Sequence, residues 1–165
     1  MPSESARATT REESRFRIEA PNARPRRVKV IALDRPSAGV LRSLAERGWR
    51  NASFLTAFGG GNATHPVADW LAGIAGEAAN LADEVASADV VVTLSSAGEN
   101  SEMAGVVAEA CRAQGKMLTA LVLDFNSADE SALLATLVPL RPYAAMLVVA
   151  QGEDYVEAML AALRA

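Results

Sequence analysis

Residues 88–124 read ADVVVTLSSAGENSEMAGVVAEACRAQGKMLTALVLD, and the fold turns on them. Asp89–Leu94 is β-branched and apolar beyond its first residue, the composition of a strand covered on both faces. A turn of small, hydroxyl-bearing residues follows. Ser101–Gln114 then places Met103, Val107 and Cys111 at a spacing of four on one helical face, and Gly115 stops the helix. Leu118–Leu123 returns to strand composition. Strand, helix and strand in so short a stretch predict a parallel crossover unit.

The same alternation extends outward in both directions. Val28–Leu33 has the length and composition of a strand, and Ser37–Arg47 follows with Val40, Leu41 and Leu44 on one helical face before Gly48. Ala52–Phe58 is a second strand, ending at the loop Gly59-Gly60-Gly61-Asn62. Val67, Leu71, Ile74, Ala78, Leu81 and Val85 recur at helical spacing, which predicts one long helix over Val67–Ser87, weakened at Gly73 and Gly76. On the C-terminal side, Ser127-Ala-Asp-Glu130 is a capping-box pattern opening a helix to about Val138. Ala144–Ala150 is a fifth strand, and Glu153–Arg164 closes with Val156, Met159, Leu160 and Leu163 on one face. The expected fold is a three-layer Rossmann-like or flavodoxin-like α/β sandwich. It has about five mostly parallel strands and helices on both faces.

At 165 residues the chain is one domain's worth, and half its residues are apolar with only 5% aromatic, so the core must be aliphatic. Charge divides unevenly. Residues 1–27 hold seven Arg against four Glu, a net +3, and residues 28–165 hold nine Lys and Arg against sixteen Asp and Glu, a net −7. The expected organisation is therefore a disordered Arg-rich tail over 1–27 and a single α/β domain over 28–165. An acidic body argues against a nucleic-acid surface, and no apolar run reaches the length of a membrane span. One cysteine, no apolar leader and glutamates throughout the tail make a cytoplasmic location the expectation.

In open α/β sheets ligands sit beyond the carboxyl ends of the strands. Three segments reach that edge: Asp34-Arg35-Pro36-Ser37, Gly59–Asn62, and Ser95-Ser96-Ala97-Gly98-Glu99-Asn100-Ser101. The third runs into a helix start, where free backbone N–H groups and the helix dipole favour an anion. Ser95, Ser96, Gly98, Asn100 and Ser101 are its candidate ligand-binding residues, with Asp34, Gly59, Gly60, Gly61 and Asn62 contributing. A second reading stands beside this one: Ser96, Asn100 or Ser101 merely caps the helix, with Glu99 or Glu102 completing a box. Asp34 is open in the same way, to a ligand hydroxyl, to Arg35 or to capping the helix near Ser37. Gly59–Gly61 lacks the G-x-G-x-x-G spacing and reads first as a flexible loop. His65 is the only histidine and reads as an ordinary loop residue, and Cys111 as a small buried hydrophobe.

Two families share features with these residues. ADVVVTLSSAGENSEMAGVVAEACRAQGKMLTALVL resembles the strand, phosphate loop, helix and strand of the tubulin-like division GTPase FtsZ. A looser likeness covers VKVIALDRPSAGVLRSLAERGW and PYAAMLVVAQGEDYVEAML. The GGGTG[ST]G signature of that family is replaced here by Ala97–Met103, and Asp34–Ser37 stands where it has a glycine-rich nucleotide loop. The resemblance thus implies a nucleotide-type domain without GTPase activity. Ser95–Glu102 is also similar, over one turn, to the S-x-S-G-x-T-x-E turn of sugar isomerase (SIS) phosphosugar-binding domains. It matches at Ser95, Gly98 and Glu102 and departs at Ala97 and Asn100.

The resulting expectation is a non-catalytic or regulatory module binding a phosphate-bearing small molecule, a nucleotide or a sugar phosphate. The alternatives are a phosphosugar isomerase-like or other small-molecule enzyme using the same edge, and an assembly subunit with a vestigial ligand site. Self-association or a protein partner is part of that expectation. No catalytic residue, metal ligand or cofactor is assigned.

Overall fold

The computed structural model describes residues 24–57, 70–73, 78–124 and 128–165. Among the described residues, seven strands and five helices follow in the order β1 (Val28–Ala32), α1 (Arg35–Ala45), β2 (Ala52–Thr56), β3 (Trp70–Gly73), β4 (Ala78–Asn80), α2 (Leu81–Ser87), β5 (Val90–Ser96), α3 (Met103–Ala113), β6 (Leu118–Leu123), α4 (Glu130–Leu140), β7 (Met146–Ala150) and α5 (Glu153–Ala162). They form one sheet ordered β4-β3-β2-β1-β5-β6-β7. The five strands β2, β1, β5, β6 and β7 run parallel, while β3 and β4 add antiparallel at the β2 end. The expected three-layer α/β sandwich is the fold of the chain, with a sheet wider than five strands.

Sequence explains the layering. The central strands β1 and β5 are buried at nearly every position, so each side of the sheet needs its own cover. On one face Ile31, Leu33, Val91, Ala120 and Val122 pack with Leu81 and Val85 of α2, Ala104, Val107 and Cys111 of α3, and Leu137 and Leu140 of α4. On the other, Val28, Val30, Val92, Leu94 and Leu121 pack with Leu41 and Leu44 of α1 and Val156 and Leu160 of α5. Lys29 joins α2 to the sheet through Glu84 Oε2 at 2.6 Å and donates to Ser53 Oγ at 3.1 Å. Arg47 links the end of α1 to Glu153 and Glu157 of α5.

The long helix expected over Val67–Ser87 does not form. Residues 70–73 and 78–80 are strands, and among the described residues of this stretch only Leu81–Ser87 is helical. The helical spacing joined buried residues of different elements: Leu71 lies in β3, whereas Leu81 and Val85 lie in α2, all in one core cluster. Gly73 falls at the end of β3, opposite Leu55, and Asn80 starts α2 by accepting from the Asp83 N–H at 3.2 Å. α4 also opens later than the capping box suggests. Its cap is Asp129, whose carboxylate accepts from the Ala132 N–H at 2.7 Å, while Ser127 lies outside the described residues.

Of the tail expected over 1–27, residues 1–23 lie outside the described residues. Arg26 and Arg27 are bonded to the domain: Arg26 N–H donates to Leu163 O at 3.1 Å, and Arg27 N–H to Asp89 Oδ2 at 2.8 Å. Among the described residues, no helix is long and apolar enough to cross a membrane.

Candidate functional site

The chain leaves β1 toward β2 on one side and returns as β5 on the other, so the strand order reverses between β1 and β5. Taken alone, the parallel strands follow the order second, first, third, fourth, fifth, one of the two common doubly wound arrangements. α1 covers one face and α3 the other. Their preceding loops therefore diverge at this point and open the crevice where such sheets hold ligands.

Asp34 stands in that crevice and is 6% exposed. It caps α1, its Oδ1 accepting from the Ser37 N–H at 2.8 Å, and Ser37 Oγ donates to Asp34 O at 3.0 Å. It also crosses to β5: Oδ2 accepts from the Ser96 N–H at 2.7 Å, and Oδ1 from Ser96 Oγ at 3.0 Å. Three donors, one in the first turn of α1 and two at the end of β5, thus converge on one carboxylate. Of the roles open to Asp34 in the sequence, the structure shows the capping of α1, with Ser96 as an added partner.

Beyond Ser96 the turn is tied down by its own bonds. The Ala97 N–H donates to Leu123 O at 2.8 Å, and the Glu99 N–H to Ser96 O at 3.0 Å. Thr136 of α4 pins the turn from outside. Its Oγ1 accepts from the Gly98 N–H at 2.9 Å and donates to Glu99 O at 3.2 Å, and its carbonyl accepts from Ser101 Oγ at 3.3 Å. Asn100 Oδ1 accepts from the Glu102 N–H at 2.7 Å, a local turn just ahead of α3, whose own cap position, Glu102, makes no side-chain capping bond. Gly98 has φ +88, a conformation that L side chains rarely adopt. A Cβ there would meet only Ala132 Cβ at 3.8 Å, so the glycine serves the backbone turn rather than relieving crowding.

Ser95 is fully buried, and neither its hydroxyl nor that of Thr93 has a partner among the described residues. The structure therefore brings Asp34, Ser96, Gly98, Asn100 and Ser101 to one edge and places Ser95 beneath them. Gly59, Gly60, Gly61, Asn62 and His65 lie outside the described residues. Thr136 was missed from the sequence. Its signal was a single hydroxyl on the inward stripe of α4, in step with Leu133, Leu137 and Leu140. Cys111 is 1% exposed in the core, and burial pushes its thiol up to about 11.

At the opposite edge of the sheet, Cys111, Lys116, Met117 and Tyr143 line a cleft of about 610 Å³. Lys116 Nζ donates to Ala88 O at 2.6 Å, and Arg112 pairs with Glu109 at 2.6 Å. The cationic heads beside this cleft are thus already engaged. Among the described residues no group of three or more His, Cys, Asp or Glu is placed to hold a metal ion. Compared with known proteins, the chain matches no family model and no curated protein.

Proposed function

We propose that this chain is a non-catalytic Rossmann-like module acting through assembly, with a switch-point ligand site filled by its own carboxylate. One observation carries the reading: Asp34 accepts from the Ser96 N–H, Ser96 Oγ and the Ser37 N–H at 2.7–3.0 Å. Those are the donors an incoming phosphate would need, and hydrogen bonds to a charged acceptor are the strong ones. A ligand would have to displace a buried anion that is covalently part of the fold. The resemblance to FtsZ fits as a nucleotide-type domain that has lost its phosphate loop.

A second reading keeps the phosphate-bearing ligand, a nucleotide or sugar phosphate, on the outer turn. What favours it is Ser95, a buried hydroxyl without a partner among the described residues, just ahead of the exposed Gly98–Asn100 turn. Thermal melting of the wild type and Asp34→Ala with orthophosphate, GTP and a hexose phosphate separates the two. The first reading predicts an unchanged wild-type Tm and no phosphate release from GTP. A ligand at a hundredfold excess over its Kd would add about 2.7 kcal/mol to the folded state, several degrees in Tm. Such a rise in the wild type, abolished by Gly98→Val and weakened by Ser95→Ala, would replace the first reading with the second.

A further inference from the structure

The two ends of the sheet differ in kind. β4 has three residues, whereas β7 has five and is bonded, among the described residues, to β6 alone. It reads Met146-Leu147-Val148-Val149-Ala150, with no charge, proline or bulge of the sort that normally guards an edge strand. Val149 is 42% exposed and pairs in register with Val122, on the face covered by α4. Met146 is 58% exposed and alternates to the face of Val148, which α5 covers. The edge is therefore apolar on both sides.

The helix beside it repeats the pattern. Ala132–Leu140 contains no charged residue, so α4 is apolar on every side. Leu133, Leu137 and Leu140 enter the core, while Leu134 (39%) and Val138 (56%) face out. A helix apolar all round is one with partners all round. On α5, the helix of the other face, Tyr155 is also exposed. Charge is confined to the two ends of α4, with exposed Glu130 at its first residue and exposed Arg141 just past its last.

We infer that β7 and α4 form an interface with a second copy of this chain. β7 pairs antiparallel with its counterpart across a two-fold axis normal to the sheet. Such an interface must be self-complementary, and this surface is. The axis sets α4 antiparallel to its equivalent, bringing Glu130 level with the partner's Arg141 and Arg141 level with the partner's Glu130. With Val148 on the axis, Leu147 lies opposite the partner's Val149, both on the α4 face, as cross-strand pairing requires. Each sheet then continues into the other, and Met146, Val149, Leu134 and Val138 leave water together. The inference names the partner for the assembly role proposed above and rests on that reading.

Sedimentation velocity of the full chain over a range of concentrations tests it. The expected species is twice the 17.3 kDa chain mass. Val149→Lys and Val138→Glu both change exposed side chains, and each should give a folded monomer at concentrations where the wild type is dimeric. Circular dichroism verifies folding, and Val138→Glu decides the matter if the strand variant misfolds. Glu130→Arg and Arg141→Glu should each weaken the dimer roughly tenfold through like-charge contacts, and the double reversal should restore it. A wild type that remains at 17.3 kDa throughout overturns the inference. So does a dimer, or any larger species, indifferent to Val138→Glu. The melting experiment with phosphate reads the other claim separately. A monomer that ignores phosphate would sink the dimer and leave the filled site standing, whereas a phosphate-stabilised dimer would sink the filled site and leave the dimer.

Discussion

Asp34 joins the start of α1 to the end of β5, 62 residues away, so its removal should be felt beyond one helix cap. Asp34→Ala deletes the α1 cap and leaves the buried Ser96 N–H without its acceptor. A lost cap costs about 1 kcal/mol, and an orphaned buried donor about 1–3 kcal/mol, so chemical denaturation should show a loss of about 2–4 kcal/mol. A loss below about 1 kcal/mol would mean that Asp34 acts as a cap and nothing more. Thr93 makes the opposite case, since its fully buried hydroxyl has no partner among the described residues. Thr93→Val keeps the shape and removes the desolvated polar atom, so stability should hold or rise by about 1 kcal/mol. Destabilisation beyond that amount would reveal a bonding role for the hydroxyl. The Cys111 thiol, pushed up to about 11 by burial, should react with a disulfide reagent at pH 8 far more slowly in the native than in the unfolded chain. The sign follows from linkage. The unfolded thiol ionises near pH 8.5, and the folded one holds its proton to about 11, so its stabilisation is complete below the first value and is lost between the two. If Cys111→Ala leaves the slope of stability against pH unchanged in that window, the thiol is not its source.

At the scale of elements, α4 acts as a clamp on the β5–α3 turn through a single threonine. Thr136→Val preserves the volume but removes the acceptor for the Gly98 N–H and the donor to Glu99 O. Amide exchange at Gly98 should quicken by tenfold or more, at a global cost of about 1–2 kcal/mol. Unchanged exchange would show that the turn holds itself. The α1 interior offers a gain, because a Cβ on Gly39 would meet nothing within 4 Å. Gly39→Ala should stabilise by about 0.5–1 kcal/mol, and a loss in urea titration would contradict the local packing. Legibility in the sequence followed the same division. The β-branched run of Val90–Leu94 announces itself by composition, and the face Met103–Val107–Cys111 by period. β3 and β4 do not, because three or four residues hold no period of their own and their apolar residues fell into step with α2. The edge carrying the candidate site was readable from loop content and from the rule that such sheets hold ligands beyond the carboxyl ends of their strands, whereas the strand order was not. That Asp34 would reach Ser96 was not, since a contact spanning 62 residues depends on two strands lying side by side.

For the molecule as a whole, the sheet assigns different work to its different margins. The switch-point margin between β1 and β5 is closed by internal bonds, while the β7 margin is left apolar and unguarded. On the proposed reading, recognition moves from the crevice that doubly wound sheets ordinarily use to this lateral surface. The central claim is that the donors of the crevice are spent on Asp34, and the amide resonances of Ser37 and Ser96 report on this directly. Two-dimensional NMR of the wild-type chain, titrated with orthophosphate and then with GTP, should leave both resonances unmoved. A saturable shift of either one in the wild type, absent in Gly98→Val, would show that a ligand takes those donors and would contradict the account.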